Sequence, residues 1–229
     1  MQRRRLVGTE LANAYDERAA IPWGDGLSES APGTIVFRAT DPFTEQVMSK
    51  AAADASDWQK KYAGKVVTAE EAVKCVQHGQ RVFIGSGAGE PQLLVEALSA
   101  REDLSDTEIV HILTLGVATY AEPRFGSRFR HNAYFIGPNV REAVEQGRAD
   151  YTPIFLGEIP ALFKSGRVVV DVALVQVSPP DAHGYCSYGV STDIVKSATE
   201  AARMVIAEVD SQTPRALGDC FIHVRDIDY

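Results

Sequence analysis

The chain has 229 residues, of which 45% are hydrophobic and 24% charged, with a formal net charge of −8. That is enough chain to bury a core without staples and to form one or two domains. The acidic balance excludes a nucleic-acid partner. Three scattered cysteines with no Cys-x-x-Cys pair exclude a disulfide framework and a zinc site of the usual spacing. The lack of any run of about 18 apolar residues predicts no membrane span and no membrane partner. A phosphorylated small molecule stays open, because local backbone N–H groups hold such ligands.

Residues 1–56 read as an N-terminal extension, partly ordered, with Gly24, Gly26, Pro32 and Gly33 set among polar residues. Arg3, Arg4 and Arg5 are followed by Glu10, Asp16 and Glu17 and by no apolar stretch, so no targeting peptide is expected. A cytoplasmic, reducing setting fits the cysteine usage.

From 57 to 229 the pattern is that of one α/β domain. Thr68-Ala-Glu-Glu71 spells a capping box, and Gly79 stands where the helix should stop. A strand over 81–84 runs into Gly85-Ser-Gly-Ala-Gly89, Glu90 and Pro91, and a helix should begin at Pro91 with Leu93, Leu94, Ala97 and Leu98 on its buried stripe. Strands are expected over 109–115 and 133–136, then a helix over 138–146 closed by Gly147. The run 168–177 is almost wholly apolar, as befits a central strand buried on both faces of a parallel sheet. A Pro- and Gly-containing loop follows, then a helix capped by Ser191 or Thr192 and reaching Ala202, then a strand over 204–207. Alternating strands and helices predict an open, mostly parallel sheet with helices on both faces.

Two segments carry candidate chemistry. Gly85–Gly89 lies between a strand and a helix, where backbone can approach a ligand and the helix offers free N–H groups. Its spacing is neither the dinucleotide fingerprint nor a nucleotide P-loop. A tight turn and a ligand loop fit it equally. Glu90 reads first as a stabilising first-turn acid and second as a substrate-orienting group. The other segment is Ser178-Pro-Pro-Asp-Ala-His-Gly-Tyr-Cys-Ser-Tyr-Gly189, just past the most buried strand. His183 and Cys186 alone do not make a metal site. Nothing local places a base beside Cys186, so it reads as a small buried filler rather than a nucleophile. His78, His111, His131 and His223 read as satisfied surface or core residues. No residue is assigned as catalytic and no metal ligand is named.

The ordered set of motifs resembles the acetyl-CoA hydrolase/transferase family. It comprises Asp57-Trp-Gln-Lys-Lys-Tyr62 with 65–73, Gly85–Pro91, Ser178–Gly189, and Pro214-Arg-Ala-Leu-Gly218 through Asp226-Ile-Asp-Tyr229. Within it, the nearest likeness is to 4-hydroxybutyrate CoA-transferases. The resemblance implies a NagB/RpiA/CoA-transferase-like fold, of which this chain is the N-terminal domain. It implies transfer of CoA between an acyl-CoA and a small carboxylate, with CoA thioester as substrate and no other cofactor. Gly87, Ala88, Gly89, Glu90, Pro91, His183 and Gly184 are the expected substrate-binding residues. In such enzymes a glutamate of a second domain attacks the thioester, and neither Glu90 nor Glu158 matches its position. A partner domain or subunit is therefore expected, inactivity without it, and self-association through the face it would cover. An acyl-CoA hydrolase half and a non-catalytic binding subunit are the alternatives. A sugar-phosphate isomerase shares the fold but not the motifs.

Overall fold

The computed structural model describes residues 58–229. The extension expected over 1–56 lies outside the described residues. Eight strands are described: β1 Arg81–Ile84, β2 Thr107–His111, β3 Phe129–Ala133, β4 Ala149–Tyr151, β5 Val172–Val177, β6 Tyr185–Ser187, β7 Met204–Val209 and β8 Phe221–His223. Six form a sheet in the order β4-β3-β2-β1-β5-β7, and β6 pairs with β8 in a separate ribbon. Every pairing in the large sheet is parallel, and the ribbon is antiparallel.

Helices cover both faces, as the alternating pattern predicts. On one face Leu94, Val95 and Leu98 of the helix Gln92–Ala100 pack with Val82, Ile84 and Ile109. On the other, Phe163 of the helix Ile159–Lys164 and Val195 and Ala198 of the helix Val195–Ala201 pack with Phe83, Val110 and Ala173. Alternate residues of β1 and β2 thus serve opposite cores, and this is why these strands carry no polar face.

Several expectations shift. The helix over 138–146 is found as Pro138–Glu145, with Gly147 beyond it at φ +71°. The strand expected over 133–136 lies at Phe129–Ala133 instead. Its pattern is hidden by a buried histidine: His131 sits opposite Ile109 in the sheet and is 1% exposed. The strand expected to reach 115 ends at His111, because the chain turns there to bring Thr114 under the glycine loop. The capping box is half made. Glu71 N–H donates to Thr68 Oγ1 at 3.2 Å, but the Glu71 carboxylate pairs with Lys74. Ser191 and Thr192 cap no helix, since Val195–Ala201 follows Ile194 without a side-chain cap. Pro91 is the residue before the helix rather than its first. β4, the helix Ile159–Lys164 and the β6–β8 ribbon have no counterpart in the sequence reading.

Candidate functional site

The sheet order reverses between β1 and β5. Chain after β1 builds outward through β2, β3 and β4, whereas β5 and β7 fill the other side. Loops leaving the carboxyl ends of such a strand pair diverge and open a crevice, the usual ligand position in open α/β sheets. Both candidate segments start there: Gly85 directly follows β1, and Ser178 directly follows β5.

The glycine loop is braced on every side. Gly85 N–H donates to Leu174 O at 2.9 Å, and Gly87 N–H to Leu113 O at 2.8 Å. Gly87 has φ +59°, a region where a side chain is strained. At Gly89 a Cβ would stand 2.8 Å from Ser191 Cβ, and Gly89 N–H donates to Ser191 Oγ at 3.1 Å. Ser191 therefore closes on the glycine loop, and this is the work that keeps it from capping a helix. The helix behind the loop is not an open anion site. Leu93 and Leu94 N–H donate to Glu208 Oε2 of β7 at 2.9 and 3.3 Å. The free N–H groups expected at that helix end are thus filled by the chain's own carboxylate. Burial pushes the Glu208 carboxyl up, against the bonds from Leu94 and Leu93.

Glu90 is 3% exposed. Its Oε2 accepts from Thr114 Oγ1 at 2.5 Å and from Gly116 N–H at 3.2 Å. It ties the loop after β1 to the loop after β2, and because it precedes the helix Gln92–Ala100 and accepts from none of its amides, it is not the first-turn acid expected from the sequence. Glu90 Oε1 and Ser86 Oγ are buried without a protein partner. The exposed tip of the loop is Gly87–Ala88, and exposed Leu115, Val117 and Val190 flank it on the neighbouring loops.

The second segment is held from outside. Asp181 Oδ1 accepts from His183 and Tyr185 N–H, each at 2.9 Å, and closes a turn. Gly184 has φ +89°, and a Cβ there would meet Tyr62 Oη and His223 Nε2, each at 2.9 Å. Arg215, which the sequence reading passed over, donates to Ser178 Oγ, Pro179 O and Tyr185 O and pairs with Asp181 at 3.0 Å. Its only sequence signal was its place in the Pro214–Gly218 motif. Cys186 is 1% exposed, and burial pushes its thiol up to about 12, far from a thiolate at neutral pH.

The glycine loop is therefore met by Ser191, two residues past the second segment, rather than by His183–Gly184. The His183–Gly184 turn lies at the other end of β6, against Tyr62 and His223. A mostly apolar pocket of about 270 Å³ lies between the helix start and the second segment, lined among others by Trp58, Tyr62, Leu93, Pro180, Cys186 and Glu208. None of the expected substrate-binding residues lines it. Glu158 is an exposed residue ending a 3₁₀ turn. Among the described residues no three His, Cys, Asp or Glu side chains gather as a metal site, and no helix is long and apolar enough to cross a membrane.

Residues 49–229 match the family model of the acetyl-CoA hydrolase/transferase N-terminal domain. The chain belongs to the acetyl-CoA hydrolase/transferase family. It is 51% identical over 174 residues to a 4-hydroxybutyrate coenzyme A transferase of Clostridium kluyveri, a match covering 76% of this chain and 41% of that protein. It is 40% identical over 161 residues to a succinyl-CoA:acetate/propanoyl-CoA:succinate CoA transferase of Fasciola hepatica, covering 69% and 33%. Among solved structures, a 4-hydroxybutyrate CoA-transferase of Porphyromonas gingivalis matches with TM-score 0.60 and 33% identity, covering 75% and 40%. RipA of Yersinia pestis matches with TM-score 0.69 and 29% identity, covering 73% and 42%. The family's N-terminal domain in this chain thus spans about two fifths of the length of such relatives.

Proposed function

We propose that this chain supplies the N-terminal half of a coenzyme A transferase that moves CoA between an acyl-CoA and a small carboxylate such as acetate or 4-hydroxybutyrate. The observation that carries this reading is the contact of the glycine loop with Ser191, two residues past the 178–189 segment, beside the sheet's switch point, in a family whose matched relatives are CoA-transferases. Gly87 and Ala88 present backbone to the crevice, with buried Gly89, Glu90 and Pro91 fixing the loop's shape. His183 and Gly184 form a separate turn against Tyr62 and His223 and are not counted in this wall. No nucleophile is assigned to this chain. A glutamate from a second domain or subunit attacks the thioester, and the acyl group passes to that carboxylate while CoA leaves as thiolate. Backbone N–H donors stabilise the oxyanions. The protein works in the cytoplasm, and copies associate through the exposed apolar rim at the strand ends when no second half covers it.

The test is an exchange assay with labelled acetate and 4-hydroxybutyryl-CoA. The chain alone should give no turnover. Joined to the second half of the Clostridium kluyveri relative, it should give acetyl-CoA. Release of free CoA without acetyl-CoA would make it a hydrolase half instead. No turnover from a folded, assembled pair would leave a non-catalytic binding subunit.

A further inference from the structure

Three of the motif segments singled out in the sequence meet at one place, and it is not the glycine loop. Tyr62 and Lys65 come from the stretches 57–62 and 65–73, Gly184 from 178–189, and His223 and Val224 from 214–229. The chemistry proposed above uses none of them.

One imidazole joins two turns there. The β6–β8 ribbon sets Tyr185 opposite His223. His223 Nδ1 accepts from Arg225 N–H at 3.0 Å, and His223 Nε2 lies 3.0 Å from His183 O. An amide N–H only donates and a carbonyl only accepts, so this ring is neutral and carries its proton on Nε2. It bridges the turn closed by Asp181 and the 3₁₀ turn Val224–Asp226. Val224 N–H adds a bond to Gly184 O at 2.9 Å. The fit is close, since a Cβ at Gly184 would stand 2.9 Å from His223 Nε2 and 2.9 Å from Tyr62 Oη.

The carbonyls of the same stretch go to Lys65. Its Nζ donates to Val224 O at 2.9 Å, to Arg225 O at 3.3 Å and to Ile227 O. An ammonium has three donors, and backbone carbonyls engage it here with charge-assisted bonds. Just beyond, Asp228 N–H donates to Val205 O and Val205 N–H to Asp228 Oδ2, each at 2.8 Å, which lays the stretch along β7. A single 3₁₀ turn is a weak structure by itself. This one is held by an imidazole on its N–H side and an ammonium on its carbonyl side. Such a clamp leaves the chain one path over 224–229.

We propose that Lys65 and His223 are positioning residues that clamp Val224–Ile227 and so set the heading at which a second half, joined after Tyr229, meets the crevice. Heading matters because a misplacement of about 1 Å between reacting groups can cost about a hundredfold in rate. The part concerning the second half rests on the transferase reading, whereas the clamp stands on the bonds named here.

The experiment begins with amide and imidazole nitrogen NMR on the 229-residue chain. His223 should appear as the Nε2–H tautomer, with a coupling across the hydrogen bond between its Nδ1 and the Arg225 amide nitrogen. Lys65→Met, which keeps the stem and removes the ammonium, should speed amide exchange at Val224 and Ile227 by tenfold or more and leave the Gly87 and Gly116 amides unmoved. His223→Phe should repeat this effect. His223→Asn, whose short side chain still reaches the Arg225 N–H, should fall between His223→Phe and the parent chain. The second measurement joins the chain to the second half of the Clostridium kluyveri relative. In a direct fusion Lys65→Met should lower turnover tenfold or more. With a long flexible Gly/Ser linker after Tyr229, parent and Lys65→Met should turn over alike, because the linker erases the heading. The opposite tautomer, unchanged Val224 and Ile227 exchange in folded Lys65→Met, full turnover by its direct fusion, or a tenfold loss that persists across the linker would each overturn the proposal. Should Lys65→Met not fold, the two His223 variants decide by the same readings. No turnover by the parent fusion would sink the transferase reading and leave the NMR result standing.

Discussion

The two loops at the switch point occupy equivalent places and are held in opposite ways. The loop after β1 is braced from inside: Glu90 and its donor Thr114 are both nearly inaccessible to water. The loop after β5 has buried bonds of its own from Ser187 N–H to Ser178 Oγ and from Gly189 N–H to Ser187 Oγ, but its first turn is braced from outside by Arg215 and Asp181, whose side chains are 38% and 34% exposed. The difference teaches where sensitivity should lie. Buried hydrogen bonds have no water to fall back on, so losing one partner strands the other. Half-exposed ion pairs are screened and replaceable.

The largest effect should come from acid. Burial holds His131 at about 4 against an ordinary value of 6.5, and His111 shifts the same way. Between those values the unfolded chain binds a proton that the folded chain does not, so stability is present above pH 6.5 and is lost as pH falls toward 4. At about 1.4 kcal/mol per unit, His131 alone accounts for about 3 kcal/mol. Glu208 works in the other direction, since its raised carboxyl favours the folded state at lower pH. Urea denaturation between pH 7 and 4 reads the balance. A slope that persists unchanged in His131→Phe would show that His131 is not its source.

Next comes Thr114→Val, which keeps the shape and removes the hydroxyl under Glu90. It should cost about 2 to 3 kcal/mol, because a buried carboxylate loses its shortest donor. A cost under 0.5 kcal/mol would mean that water reaches Glu90 after all.

The smallest effect is expected at Arg215→Met, which retains much of the aliphatic stem. Loss of its partly exposed bonds should cost about 1 kcal/mol, with the Asp181 share shrinking in molar salt. A loss matching that of Thr114→Val would erase the contrast between the two loops.

Much of the fold was legible in local pattern. The apolar run 168–177 announced a central strand, found over Val172–Val177, because both of its faces are buried, and Pro138 with Gly147 bracketed a helix to within a residue. β3 was misplaced because His131 and Asn132 break the apolar pattern while occupying positions inside the sheet. β4 was missed because it is three residues long, with Asp150 and Tyr151 exposed. Of the site, the glycine loop was legible through its composition. Its braces were not, since Glu208 acts from over a hundred residues away and Ser191 resembled a helix cap.

By itself, then, the sequence determined the α/β class, the family and the loops that carry its motifs, because periodicity, glycine placement and ordered motifs are local properties of the chain. Only the tertiary structure decided what those loops can do. It showed the helix end filled by Glu208, Glu90 turned inward to Thr114, and Ser191 rather than His183 against the glycine loop. Each of these depends on which strand lies beside which, and strand order in a parallel sheet is set by long-range packing that local pattern does not encode.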